Sequence, residues 1–320
     1  MNKIKTFLIA ITPLMIVSII GLSIYFNTTN FFTIREITKK VKIFDTNIDH
    51  CHSLDILEDA KNQDIEIPKI AINFDTHSDL YYLRKLSKNG GSVEDWLNEY
   101  FAYYNEPEVL YWVIPELEIQ NKEIMEIFKE FDDIPDNSIL GNIRNNPEKV
   151  NTNIGVTPYI QYFKINTENG ELDEIIPKDG EQVKLGLENP NSKYKIFKFI
   201  NCTKSSLPDF KGKNVFLSID MDYVSNSGFD TTEGFTINRT PEEINQEISN
   251  ILNTLKKKNI RPTILTMTLS RYYLPKKDEP QVLKFFKSFM SISGLKDNRK
   301  EYTRTFDGPR IFEGPKYKGI

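Results

Sequence analysis

Cysteine, histidine and net positive charge are all scarce in this chain, and each scarcity excludes something. Two cysteines among 320 residues, Cys51 and Cys202, cannot build a disulfide scaffold or a closed cysteine-rich zinc site. A single bridge between them stays open until their places in the fold are known. The formal charge is -4, and the only charged residues before position 27 are Lys3 and Lys5, so the remainder is more acidic still. Such a balance speaks against nucleic acid as a partner. Internal repeats are absent as well. With 39% apolar and 27% charged residues the chain is far from a disordered composition and long enough for one sizeable core.

Phe7 to Phe26 is a run without a single charge (FLIAITPLMIVSIIGLSIYF). At a helical rise of about 1.5 Å per residue it spans roughly the hydrocarbon core of a bilayer. No polar face interrupts it, which argues against a buried soluble helix. Lys3 and Lys5 precede it, so the positive-inside rule keeps residues 1–6 cytoplasmic and sends the rest across, although Arg35, Lys39, Lys40 and Lys42 on the far side weaken that bias. The expectation is a transmembrane signal anchor over 7–26 and a membrane-anchored, extracytoplasmic protein. The alternative is a cleaved signal and a secreted form, with Gly21 and Ser23 as the small residues before the cut. No lipidation cysteine follows.

Residues 27–40 read as a linker, 41–295 as one α/β domain and 296–320 as a charged tail with Gly308, Pro309, Gly314 and Pro315. Within the domain, β-branched apolar runs alternate with helical patterns, the signature of a mostly parallel sheet with helices on both faces. The expected strands are Val41–Phe44, Lys69–Phe74, Val109–Val113, Ile160–Lys164, Tyr194–Ile200, Asn214–Ile219 and Thr263–Thr268. Thr240, Pro241 and Glu243 predict a capping box opening a helix to about Leu255. Asn166–Ser192, polar and marked by Gly170, Gly180 and Pro190, reads as an excursion or surface hairpin.

Three strand ends carry the chemistry. KIAINFDTHSDL ends in Asp75-x-His77-x-Asp79; in extended backbone, residues two apart point to one side, so these groups can converge beyond the strand's carboxyl end. Open α/β sheets place ligands there. Alone, the motif also fits a turn aspartate, a partly exposed histidine and a helix N-cap at Asp79. NVFLSIDMD repeats the design with Asp220 and Asp222, two carboxylates that repel in a low-dielectric crevice unless a cation lies between them. A D-x-D turn on its own is common. The three histidines of the chain, His50, His52 and His77, all fall in one short window, the first two in NIDHCHSLDIL just after the first expected strand. Asp49 can orient one of those imidazoles. Carboxylates plus imidazole suit one or two divalent ions, Mn²⁺ first and Zn²⁺ or Fe²⁺ next. Such ions activate water for hydrolysis. Cys51, between the histidines, reads as a thiolate or, more commonly for a lone cysteine, a small buried apolar residue.

The quoted motifs resemble the arginase and histone-deacetylase (ureohydrolase-like) superfamily: FDTHSDL is similar to its D-A-H-x-D motif and LSIDMDY to its S-x-D-x-D motif. The likeness is closest to an uncharacterised arginase-like branch with D-H-x-[HE]-x-L (Asp49 to Leu54) and a W-V-[IV]-P strand end (Trp112 to Pro115). The resemblance covers roughly residues 41 to 290 and implies a three-layer arginase-like fold. It implies metal ligands at His50, Asp75, His77, Asp79, Asp220 and Asp222, with His52 as second ligand or proton shuttle. The G-G-D-H-S motif of arginases proper fits His52 and Ser53 instead, so the choice between His50 and His52 stays open. This chain lacks that G-G, the D-P after the second motif, and any further histidine for a separate acid/base role. MTLSRYYLP after the last strand falls where relatives place substrate-facing residues, making Ser270 and Arg271 candidates for anion binding, although a surface salt bridge suits Arg271 equally well.

The expected function is metal-dependent hydrolysis of a non-peptide C–N bond, amide or amidine, in a small-molecule substrate, with His52 or His50 moving protons. Two alternatives stand beside it: a catalytically silent metal- or ligand-binding envelope protein, and a two-metal phosphoesterase. Oligomeric state has no signature in the sequence.

Overall fold

The computed structural model describes residues 30–47, 53–77, 79, 96–104, 106–115, 158–178, 180–187, 189, 192–226, 237–270 and 273–296. Its centre is a nine-stranded, mostly parallel sheet. Nine strands follow in chain order: β1 (Ile43–Asn47), β2 (Ile70–Phe74), β3 (Val109–Ile114), β4 (Tyr159–Asn166), β5 (Leu172–Ile175), β6 (Gly186–Leu187), β7 (Tyr194–Thr203), β8 (Val215–Asp220) and β9 (Ile264–Thr268). They lie in the order β1-β9-β8-β2-β3-β7-β4-β5, with β6 also on β7. Pairing is parallel from β1 to β7 across that order and antiparallel among β4, β5, β6 and β7. All seven expected strands are present. Of the two readings of Asn166–Ser192, excursion or surface hairpin, the hairpin is the one present: β5 folds back on β4, Leu172 burying beside Ile165 while its neighbours stay in water, and β6 pairs with β7.

Among the described residues five helices cover the sheet: α1 (30–37), α2 (Ser53–Asn62), α3 (Trp96–Tyr103), α4 (Pro241–Lys257) and α5 (Glu279–Ser293). Strand residues alternate between two apolar clusters, as the pleat requires. Val215, Leu217 and Ile219 join Ile244, Ile248, Ile251 and Leu255 of α4 and Val282, Phe286 and Phe289 of α5. Phe216 joins Leu54, Ile56, Leu57 and Ala60 of α2 and Trp96, Leu97, Tyr100 and Phe101 of α3. Each large side chain so buried contributes about 1.5–3 kcal/mol. The expected capping box is complete, Thr240 Oγ1 accepting from Glu243 N and the Glu243 carboxylate from Thr240 N.

On the α2/α3 face the apolar alternation stops short of the strand ends. Asp45, Thr266, Ser218, Asn73, Trp112 and Asn201 stand in register across six strands and are all buried. A buried polar row of this kind is retained where it serves something beyond packing. Here it underlies the carboxyl ends of β8 and β2.

Among the described residues no helix is long and apolar enough to cross a membrane. The expected anchor over 7–26 and the tail from 297 onward lie outside the described residues, as do His50, Cys51, His52 and Arg271. Cys202 is a buried free thiol whose pKa burial pushes upward.

Candidate metal centre

Register brings the two acidic motifs together. Phe74 of β2 pairs with Ile219 of β8, so Asp75 and Asp220 are the next residues on adjacent parallel strands. Both then make the same local turn. Asp75 Oδ1 accepts from the His77 amide at 2.8 Å, and Asp220 Oδ1 accepts from the Asp222 amide at 3.1 Å. The backbone turns just past each aspartate instead of continuing as strand, after Asp220 as a short 3-10 turn over Met221–Tyr223. Convergence therefore arises from two side-chain-to-backbone turns, not from the extended backbone expected at these positions.

These turns gather Asp75, His77 and Asp222, which each offer one ligand atom within 4.8 Å of the others. His77 Nδ1 lies 2.8 Å from Asp222 Oδ2 and 3.6 Å from Asp75 Oδ1. Both carboxylates are buried, while the imidazole keeps 18% of its surface exposed and so opens the cluster toward solvent. Burial first, and the Asp75 charge second, raise the Asp222 pKa above the usual carboxylate range; bonds from His77 and Thr76 pull it partly back. Two buried acids held this close favour a cation between them.

Neighbouring residues hold the trio in place. Thr76 donates its hydroxyl to Asp222 Oδ2 at 2.7 Å and its amide to Oδ1 at 3.3 Å, and accepts from Asn226 Nδ2 at 2.9 Å. That hydroxyl has one proton, already committed to Asp222, so in its 3.0 Å contact with His77 Nδ1 it can only accept. The assigned tautomer thus carries the proton on Nδ1, where metal would displace it. Asn73 Nδ2 donates to Asp75 Oδ2 at 3.1 Å, and Trp112 Nε1 to the Asp75 carbonyl at 3.1 Å. The ring of Tyr273 lies 4.2 Å from that of His77, at 43°.

Not every expected ligand joins this trio. Asp220 reaches the Asp222 amide through Oδ1. Asp79, held in a left-handed conformation at φ 51°, accepts from Trp96 Nε1 at 2.5 Å and from Asn73 Nδ2 at 3.5 Å. Ser270 is also left-handed, at φ 54°, and buried; its carbonyl accepts from the amides of Tyr273 and Leu274. Strained backbone of this kind clusters at functional sites. Reading the sequence missed Thr76, Asn73 and Asn226. Thr76 sat unnoticed as the variable position of D-x-H, and Asn226 had no motif to mark it.

Two carboxylates and one imidazole form a donor set that suits a borderline or hard divalent ion. Comparison with known proteins adds nothing to this geometry: no protein-family model and no curated protein matches the chain.

Proposed function

We propose that this chain is a metal-dependent hydrolase that cleaves a non-peptide C–N bond, amide or amidine, in a small molecule. The observation that carries the reading is the meeting of Asp75, His77 and Asp222 at one point beyond the carboxyl ends of β2 and β8. Asp75, His77 and Asp222 would hold the ion, with Asp79, Asp220 and His50 completing the set by resemblance to arginase-like proteins. A bound divalent ion, Mn²⁺ in the first instance, supplies Lewis acidity and lowers the pKa of water toward neutrality. Asn73, Thr76 and Asn226 orient the carboxylates. The exposed edge of the His77 ring faces the substrate side, and proton transfer falls to His52 or His50. The sheet order and the two helical faces support an arginase-like three-layer architecture, and the apolar run over 7–26 supports a membrane anchor with the domain extracytoplasmic.

The test is metal content of the full chain purified in detergent. Wild type is expected to retain one or two Mn²⁺ per chain after dialysis against Mn²⁺, and Asp222→Asn or His77→Ala to lose them. A wild-type chain without stoichiometric metal defeats the proposal.

A further inference from the structure

Helix α1 has two unlike faces. Thr33, Ile34, Ile37 and Thr38 are buried, and Ile34 and Ile37 join the apolar cluster of α4 and α5. Asn30 Nδ2 donates to Ser249 Oγ of α4 at 3.1 Å. On the other face Phe32, Arg35 and Lys39 are exposed at spacings of three and four, one stripe along the helix and the 3-10 turn that continues it over Thr38–Lys40. Phe32 keeps 67% of its surface in solvent. Its ring stands edge-on to that of Phe31 at 5.6 Å, and the Arg35 guanidinium lies 4.8 Å from the centre of the Phe31 ring. Lys40 and Lys42 extend the exposed charge past the stripe.

That charge is of one sign. Glu36 is the only acid between Asn30 and Lys42, and it turns aside to Arg261 and, at 3.6 Å, to Lys256. Arg35 Nε reaches the Ile292 carbonyl in the last turn of α5 at 3.4 Å, and α5 adds exposed Lys284 and Lys287 with no acid after Glu279. A single exposed phenylalanine is ordinary on a protein surface, whereas aromatics set among cations on an amphipathic helix are the composition that lies in a membrane interface. On the membrane-anchor reading of 7–26, chain connectivity also holds the stripe at a bilayer. The charge-free run ends at Phe26, four residues before Asn30, so α1 starts within about 14 Å of it. A second copy of this chain is a poor occupant, because it would set the same cations against each other.

We propose that α1 seats this stripe on the bilayer, with Arg35, Lys39 and Lys40 against anionic phospholipid headgroups and the Phe31–Phe32 pair within the interface. The proximity rests on the membrane-anchor reading; the composition of the stripe does not. Each cation near an anionic surface contributes about five-fold in occupancy. The Lys42 amide donates to the Thr263 carbonyl at 2.8 Å, at the amino end of β9, whereas Asp75, His77 and Asp222 lie beyond the carboxyl ends of β2 and β8, which run parallel to it. A bilayer against the basic end therefore leaves the metal cluster at the opposite rim of the sheet.

The test places the full chain carrying Phe32→Trp in vesicles of phosphatidylcholine and phosphatidylglycerol, with and without lipid brominated near the headgroup end of its acyl chains. Trp96 and Trp112, both buried, set the background that the wild type measures. The new indole is expected to be quenched by the brominated lipid. Adding Arg35→Gln and Lys39→Gln is expected to lower the ratio of seated to unseated helix, read from that quenching, about 25-fold. An indole that brominated lipid does not quench, whether it emits as in water or lies under another protein chain, overturns the proposal. So does quenching that ignores both the two substitutions and the omission of phosphatidylglycerol. Extraction with alkaline carbonate reads the anchor separately. A chain that carbonate strips, but whose indole was quenched beforehand, supports the seating of α1 and sinks the anchor; a chain that carbonate leaves in place with an unquenched indole sinks the seating and spares the anchor.

Discussion

Thr76 and Asp222 are joined by two hydrogen bonds, hydroxyl to Oδ2 at 2.7 Å and amide to Oδ1 at 3.3 Å, across a separation of 146 residues. The pair fixes both oxygens of the carboxylate that faces His77. Groups that orient ligands without touching metal typically change affinity 10- to 100-fold when removed. Thr76→Val keeps the shape, deletes the hydroxyl proton and leaves Asn226 Nδ2 without its acceptor. Its Mn²⁺ dissociation constant, read by isothermal titration, is expected to rise about 10- to 100-fold. Unchanged affinity would show that Asp222 needs no such support.

The fold was legible in the sequence because buried strands announce themselves: Val215 to Ile219, apolar except for Ser218, and Ile264 to Thr268, wholly apolar or β-branched, are buried throughout. The hairpin strands β5 and β6 were not, since four and two residues of half-exposed chain carry no pattern. At the site, Asp75, His77 and Asp222 were legible from spacing. Thr76 and Asn226 were not, because their role exists only once residues 150 positions apart meet.

Tyr273 makes a ring contact with His77, so its aromatic face and its hydroxyl can be separated by substitution. If stacking fixes the imidazole, Tyr273→Phe is expected to keep Mn²⁺ affinity within about two-fold, whereas Tyr273→Ala weakens it by about 0.5–1.5 kcal/mol, the usual worth of such a ring pair. Equal losses in both variants would assign the role to the hydroxyl instead.

Lys195 is buried in β7, its Nζ donating to the carbonyls of Phe101 at 3.0 Å and Tyr104 at 2.6 Å at the end of α3. Burial lowers its pKa from 10.5 to about 7, with the charges of Glu106 and Glu108 opposing the shift. Between pH 7 and 10.5 the unfolded chain holds a proton here that the folded chain lacks, so stability rises with pH across that window. The slope from this group approaches about 1.4 kcal/mol per pH unit, and vanishes below the folded value, where both states are protonated. Urea unfolding at pH 7 to 9.5 is expected to show wild type gaining on Lys195→Met as pH rises. A constant difference between the two would mean that Lys195 stays charged in the folded state.

Lys204, just past the end of β7, pairs with Glu247 of α4; both side chains are more than nine-tenths buried. Lys204 Nζ also lies 5.8 Å from the centre of the Tyr223 ring, and Tyr223 follows Asp222 directly and donates its hydroxyl to the Ile114 carbonyl at 3.2 Å. Removing one partner leaves an uncompensated buried charge, which costs about 3–5 kcal/mol, whereas replacing both with apolar side chains of similar volume is close to neutral. Lys204→Met alone is therefore expected to lower stability by that amount. Adding Glu247→Leu restores most of it. A double-mutant cycle in urea measures the coupling, and near-additive losses would show that the two charges are solvated separately rather than paired. The same variants report on the metal centre: the double variant recovers stability without the cation over Tyr223, so Mn²⁺ affinity that recovers with it makes the ion pair a scaffold for the Asp222 turn and nothing more.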